Sequence, residues 1–561
     1  MTAAPARDGG HPDVILHSGR VRTLDPADHL AGAVAVKDGL IWSVGDTAAL
    51  LATAGPRTWW VDLGGRTVVP GLIDAHTHLE LTAYSRHFWH DIRGLSEADV
   101  LERVARLAAV TPPGEWLILQ GTFGQRLPGR SALDRVSPGH PVAVRWSMHK
   151  FQLNSAALTA AGIGRATVPG PGIRIHPDAA GEPTGLIEEG WDLLRLAPPP
   201  AGQLAAALTE TAQELFLRHG VTTINEIAAS RTGLGVLQQL KSRPPGADPV
   251  LPSFGVALTA APGHQALADV DSFAGTGLAT GFGRGELSLR AIKIFVDGGR
   301  DGALRSSLMA GSATAWGLLT RTPQTLTQEV VQAAGAGLAV WIHAIGDLAQ
   351  ECAVSAIETL ARVYPGLDHR CRIEHFGNEV YQPSRLHRLI AAGGIPAPNP
   401  GFVVAEPDDP ADRLPPGVAK YGLRTLLGAG ARPPGNSDTA GAQPFTCNPW
   451  FTMGCMVSRR NRGGLVIDPE EAVTAAEALR AFTADAAHGC RMEADRGTLE
   501  PGKRADLAVL TADPLAVPAP ALPDITSLLT MVGGRIGHLA RWPRLAVPDA
   551  QIRPPAGLRP R

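Results

Sequence analysis

Five cysteines, Cys352, Cys371, Cys447, Cys455 and Cys490, are spread through 561 residues with no CxxC pair among them. So odd and sparse a set excludes a disulfide framework and a thiolate zinc site. A strong charge of either sign is also missing, since 51 basic and 53 acidic side chains leave a formal charge of -2. That near-balance offers no electrostatic footprint for nucleic acid or an anionic membrane. No apolar run reaches the length of a membrane span, and the first twenty residues, MTAAPARDGGHPDVILHSGR, lack the apolar stretch of a signal peptide. A cytoplasmic protein is the expectation. Coiled-coil heptads and internal repeats are absent, so no sequence pattern says how subunits would meet. Lysine is rare too: only Lys37, Lys150, Lys241, Lys293, Lys420 and Lys503 occur. With the heavy use of Ala, Gly and Pro this reads as the codon usage of a GC-rich genome. Any lysine inside an apolar strand therefore stands out.

What is present suggests two to four structural units, because the chain is too long for one ordinary core. Short strand-like runs broken by turns open the chain: DVILHSGRVRTL, GAVAVKDGLIWSVG and TWWVDLGGRTVVPG. A similar pattern returns near the other end in GTLEPGKRADLAVL and ITSLLTMVGGRIGH. The two ends are expected to build one small β-sandwich, from 1–68 and 491–545, with 546–561 as a loose tail. Between them, apolar strands such as GVTTINEIAA, SLRAIKIFVDG, GLAVWIHAIGD, HRCRIEHFG and TLLGAGARPPGNSD alternate with amphipathic helical stretches. Strand–helix alternation predicts an α/β fold, a (β/α)8 TIM barrel over 69–490. Residues 85–200 fit the rhythm less well and are expected to be an α/β insertion after the first barrel strand that walls the site.

Polar clusters stand where these strands end: His76 and His78, Lys293, His343, His375 and Asp438. The C-terminal strand ends of a TIM barrel converge on one face, so residues far apart in sequence share a pocket. In VVPGLIDAHTHLE the two-residue period of a strand points His76 and His78 to the same side, as two imidazoles approaching one divalent ion require. Each piece alone has a plainer reading. A lone HxH is often a pair of exposed or hydrogen-bonded histidines. Asp438 in GNSDTAG also suits an N-cap or an Asx-turn. Lys293, among Ile292, Ile294, Phe295 and Val296, would either snorkel to the strand end or pair with Asp297. If buried, its ammonium is costly and its pKa falls. The neutral amine can then take up carbon dioxide as a carbamate able to bridge two cations.

Taken in order, these blocks resemble the amidohydrolase superfamily, and more closely its branch of N-substituted formamide deformylases. VVPGLIDAHTHL is similar to the first-strand motif. IKIFVDGGRDGALRSSL, IHAIGDLAQECAVSAIE and RIEHFG follow that branch's later blocks, and GTLEPGKRADLAVL the closing segment. The resemblance implies a barrel with a flanking β-sandwich and one or two Zn2+ ions. It also implies metal ligation by His76, His78, Lys293 (carboxylated), His343, His375 and Asp438, and, as a default, a homodimer. NSDTAGAQPFTCNPW departs from the family pattern around its Ser-Asp pair, and WSMHKFQLNSAAL follows it only loosely.

The function so implied is metal-dependent hydrolysis of a C–N bond, amide or formamide in type, in a small non-peptide molecule. Metal-activated hydroxide attacks the carbonyl, and Asp438 takes the water's proton and later hands it to the leaving nitrogen. The same chemistry would serve an ester, lactone or carbamate. A barrel that only binds a ligand is the alternative of another class. Asp347 and Glu374 are candidate partners orienting the histidines. His149 and Asn154 are candidate substrate residues. Of the aromatics Trp89, Phe123, Trp146, Phe151, Trp316 and Phe402, some are expected to line the mouth, with Trp89 and Trp316 as further candidate substrate residues, and most to be core.

Overall fold

The computed structural model describes residues 10–540, apart from residue 123 and the segments 245–248, 261–265, 307–315, 409–417 and 441–443. Phe123 and the expected tail 546–561 thus lie outside the described residues. A curled sheet of parallel strands forms the centre: β1 (Leu72–Thr77), β2 (Val221–Ala228), β3 (Ser253–Thr259), β4 (Leu287–Phe295), β5 (Val340–His343), β6 (Arg372–Glu374) and β7 (Ile395–Ala397). They neighbour one another in chain order. Nearly every residue of these strands is buried, as expected where both faces are covered.

The eighth position differs from the sequence expectation. TLLGAGARPPGNSD is not one strand: its first part is the helix Leu423–Gly428, and Pro433 and Pro434 deny the rest two ladder donors. The extended stretch after the prolines still closes the ring. The Ala75 N–H donates to Gly435 O (3.1 Å), Asp438 N–H to His76 O (2.9 Å) and His78 N–H to Thr439 O (2.9 Å). On its other side, Asn436 Nδ2 donates to Pro398 O beyond β7 (2.7 Å). Asp438 is thereby set directly beside the β1 histidines.

Helices cover the outside. Pro323–Gly335, started by a Thr322 cap with proline in its first turn, packs against Asp347–Val363 over a core of Leu326, Val330, Val354 and Ile357. The N-terminal strands build one further sheet, and both chain ends together build a second. Thr67–Pro70, which leads into β1, pairs antiparallel with Leu507–Leu510, and residues of both sheets share one core. A separate six-stranded mixed sheet occupies the region between β1 and β2. Its strands run in sequence from His90–Asp91 to Pro183–Glu188, and Lys150 and Glu188 from it line one cavity with His375 and Asp438. No helix among the described residues is long and apolar enough to cross a membrane. The five cysteines are all free.

Candidate metal centre

His76 and His78 leave β1 in two different ways. His76 belongs to the strand, whereas His78 ends it as the residue preceding the helix Leu79–His87. The carboxylate of Glu226, from β2, accepts the first N–H groups of that helix, from Leu79 (2.5 Å) and Glu80 (3.1 Å), and so fixes the turn that carries His78. Beneath it, Asp74 accepts from the His76 and Ser437 backbone N–H groups (3.3 and 3.0 Å), tying β1 to the closing segment. Burial raises Asp74 to about 7 and Glu226 well above the ordinary carboxylate range.

Opposite stands Asp438. Its Oδ1 lies 3.4 Å from His76 Nε2 and 3.5 Å from His78 Nε2, and its Oδ2 lies 3.8 Å from His375 Nδ1. Burial alone would raise this carboxyl, but the surrounding imidazoles outweigh burial and hold it well below its usual range. Asp438 is therefore neither a helix cap nor a surface turn residue. Its backbone is in the left-handed region (φ 43°), as is that of His375 (φ 71°). Non-glycine residues held there carry strain that gathers at functional sites.

A chain of partners fixes the histidines. His76 Nδ1–H donates to Glu374 Oε2 (2.5 Å), while Arg372 grips the same carboxylate with Nε to Oε1 (2.7 Å) and Nη2 to Oε2 (2.9 Å). Arg372 is itself buried, stacked 3.7 Å from the Trp341 ring centroid, and donates to Ala75 O and to Cys490 Sγ. Because Glu374 occupies Nδ1, His76 presents Nε2, which is buried and has no hydrogen-bond partner. His375 Nδ1–H donates to Asn399 Oδ1 (2.6 Å), and Asn399 is held by Asn378 and Asn436. Burial lowers His78 to about 4 and His375 to about 3, so both imidazoles are neutral and have lone pairs to offer. Glu374 thus orients a histidine as expected. Asp347 does not: its carboxylate accepts the Ser306 N–H.

Lys293 is buried inside β4, its Nζ 5.1 Å from the Phe295 ring centroid and without a hydrogen-bond partner. It neither snorkels nor pairs with Asp297, whose carboxylate accepts three backbone N–H groups, from Leu304, Ile345 and Gly346. Burial brings the Lys293 ammonium down to about 8. His343 stands one ring further out, edge-on to His375 at 4.4 Å, with Nε2–H on Gly298 O (3.1 Å).

The donor atoms of His76, His78 and Asp438 all lie within 4.8 Å of one another. Two neutral imidazoles and an ionised carboxylate, with one ring nitrogen buried and unpartnered, fit a divalent cation of the zinc class. Lys293, His343 and His375 flank this trio.

The open side is a cavity of about 1500 Å³ whose walls include Asp438, His375, Trp146, His149, Glu189 and Phe402. The other proposed substrate residues lie elsewhere. Asn154 caps the helix Ser155–Ala161, and its amide is fully used: Oδ1 accepts from Val142 and Ala157, and Nδ2 donates to Ser137 O and His140 O. Trp89 lies under the Arg145 guanidinium (4.4 Å) and against Trp191, as packing. Phe151 is core, edge-on to Trp191. Trp316 is 53% exposed. Sequence reasoning missed Glu189, Asn399 and Arg372, which hold His149, His375 and Glu374 respectively.

The amidohydrolase family profile matches residues 60–538 of this chain. The N-substituted formamide deformylase of Arthrobacter pascens is 29% identical, over 93% of this chain and 97% of that protein. Protein LONG AFTER FAR-RED 3 of Arabidopsis thaliana is 27% identical, over 89% of this chain and 87% of its own. Among solved structures, an uncharacterized metal-dependent hydrolase from Pyrococcus horikoshii superposes with a TM-score of 0.67 at 22% identity, over 90% of this chain and 99% of that one. With the barrel and its histidine–aspartate cluster, these likenesses place the chain in the amidohydrolase family, on the branch of the N-substituted formamide deformylases.

Proposed function

We propose that this chain hydrolyses the C–N bond of an amide or formamide group in a small non-peptide molecule. The observation that carries the reading is Asp438, an ionised carboxylate held between His76 and His78 at the wall of a large cavity. His76, His78 and Asp438 would hold the cation, with Lys293, His343 and His375 around them. Lys293 is half neutral near pH 8, which leaves it able to form a carbamate. A divalent cation bound there supplies Lewis acidity toward the carbonyl oxygen and makes water more acidic.

The chain's own residues do the rest. Asp438 orients the attacking water and accepts its proton, a task for a carboxylate that lines the cavity. Glu374 and Asn399 keep the His76 and His375 rings in one orientation. The sheet between β1 and β2, read as part of an insertion over about 85–200, forms one wall of the cavity. We read the two terminal sheets as one sandwich supporting the barrel.

Two measurements test this reading: elemental analysis of protein purified with bicarbonate, and turnover of N-substituted formamides, other amides, esters and lactones. Support would come from about one or two zinc-like ions per chain and preferential hydrolysis of the C–N substrates. Protein that holds no cation even after its addition, and turns over none of the panel, overturns the reading. Asp438→Asn should retain the fold and lose turnover by about a hundredfold or more.

A further inference from the structure

The insertion contributes a histidine–glutamate pair, its carboxylate buried and its imidazole partly exposed, that the proton transfers above leave unused. His149 Nδ1 lies 3.0 Å from both carboxylate oxygens of Glu189, and the two are joined again through the backbone, Glu189 N–H donating to His149 O (2.7 Å). Glu189 Oε1 also accepts the Gly299 N–H (2.9 Å), so one carboxylate fastens the insertion to the loop that follows β4. Three features show that the chain is shaped around this pair. Glu189 is held at φ 58°, a conformation that strains a non-glycine residue. A Cβ on Gly299 would stand 2.7–2.9 Å from atoms of the His149 side chain, and one on Gly298 would stand 2.9 Å from Glu189 Oε1. Gly299 is therefore needed for the approach of the His149 ring. Both members of the pair also line the cavity that Asp438 and His375 line, and the His149 ring lies 5.4 Å from that of His343.

We infer that His149 is a second catalytic residue, the proton donor to the leaving nitrogen, and that Glu189 is its positioning residue. The inference rests on the hydrolase reading above and divides its proton transfers between two walls of the cavity. Asp438 accepts one proton of water as the oxygen forms its bond to the carbonyl carbon. When the C–N bond breaks, its electron pair goes to nitrogen, which takes the proton from the imidazolium of His149. Asp438 then releases its proton to solvent, and His149 regains one from solvent. The sum is amide plus water giving acid plus amine. A carboxylate on Nδ1 directs the opposite ring nitrogen to this work and offsets the imidazolium charge. Because the donor comes from the insertion and not from the barrel, leaving-group preference would be set independently of the cation site.

The test compares wild type, His149→Gln and Glu189→Gln on formamides that differ only in the leaving amine, from alkylamines to nitroanilines, with metal content measured on each protein. A poor leaving group needs the proton early, and a nitroanilide hardly needs it. His149→Gln is expected to lose about 100- to 1000-fold in kcat on alkyl formamides, less than about tenfold on nitroanilides, and none of its cation. Glu189→Gln should show the same slope with a smaller loss. A uniform loss across the series, or no loss, overturns the role of His149. Loss of the cation from His149→Gln overturns it as well, by making the residue a ligand. In those cases wild type would still be a metal-dependent hydrolase. Failure of the hydrolase reading itself would appear differently, as a wild-type protein without cation or turnover.

Discussion

Lys293→Met should make the metal-free protein more stable and leave the metal-loaded protein inactive. The side chain is fully enclosed by β4 and its neighbours, and its Nζ has no hydrogen-bond partner. Burial lowers its pKa from 10.5 to about 8, opposed only in part by the charges of Glu374 and Asp438. At about 1.4 kcal/mol for each unit, the buried ammonium costs the folded state about 3 kcal/mol below pH 8. The sign follows from proton counting. Between about pH 8 and 10.5 the unfolded chain binds the proton that the folded chain has lost, so stability rises with pH across that window. Methionine fills nearly the same volume without the charge, and its advantage should be about 3 kcal/mol near pH 7, shrinking to about 1 kcal/mol by pH 9.5. Urea unfolding of both proteins, metal-free and in degassed buffer, measures this at the two pH values. With bicarbonate and a divalent cation added, wild type should gain more stability than the variant, which keeps His76, His78 and Asp438 but has no amine to form a carbamate. A methionine variant that is less stable than wild type near pH 7, or whose advantage is unchanged at pH 9.5, would refute the reasoning.

Other perturbations address the supports of the site. Arg372→Met strands the Glu374 carboxylate in the core and should cost about 3–5 kcal/mol in urea unfolding, whereas Arg372→Met/Glu374→Gln should cost much less than the sum of its parts; additivity within about 0.5 kcal/mol would show the pair to be uncoupled. Asn154→Ala should destabilise by about 2–4 kcal/mol, through the lost cap and the orphaned carbonyls of Ser137 and His140, with KM unchanged; a raised KM would return Asn154 to the substrate. Trp316→Ala should leave both stability and steady-state kinetics within error, since the ring is largely in solvent.

What the sequence made legible follows from how local each signal is. His76, His78, Lys293, His343 and His375 sit in or beside short apolar strands, and a strand's own period says which residues leave its end together. The strands themselves were readable because burial on both faces writes near-continuous apolar runs, as in Val221–Ala228. The eighth position was misread because its barrel-closing stretch is written with prolines and an asparagine, and its identity comes from hydrogen bonds to β1, more than 350 residues earlier. The same distance hid the partners. His76 and Glu374 are 298 positions apart, and Lys150 and Asp301, which also join the insertion to the loop after β4, are 151 apart. Asn154 misled for the opposite reason: an asparagine before an Ala-rich helix is first of all a cap, and here capping and bridging consume its whole amide.

Backbone strain was the least legible feature and has the most to say about the site. Glu189, His375 and Asp438 all adopt positive φ, yet none is a glycine whose presence would have signalled the turn. At each of the three positions a side chain is needed where the backbone would prefer none. The strain is tolerated because fixed contacts hold each residue: His149 and Gly299 hold the Glu189 carboxylate, Asn399 holds the His375 ring, and the His76 carbonyl accepts the Asp438 N–H. Removing a partner should therefore release the backbone as well as the contact. Positioning residues such as Asn399 and Glu189 would then matter more to the geometry of the strand ends than their single hydrogen bonds imply.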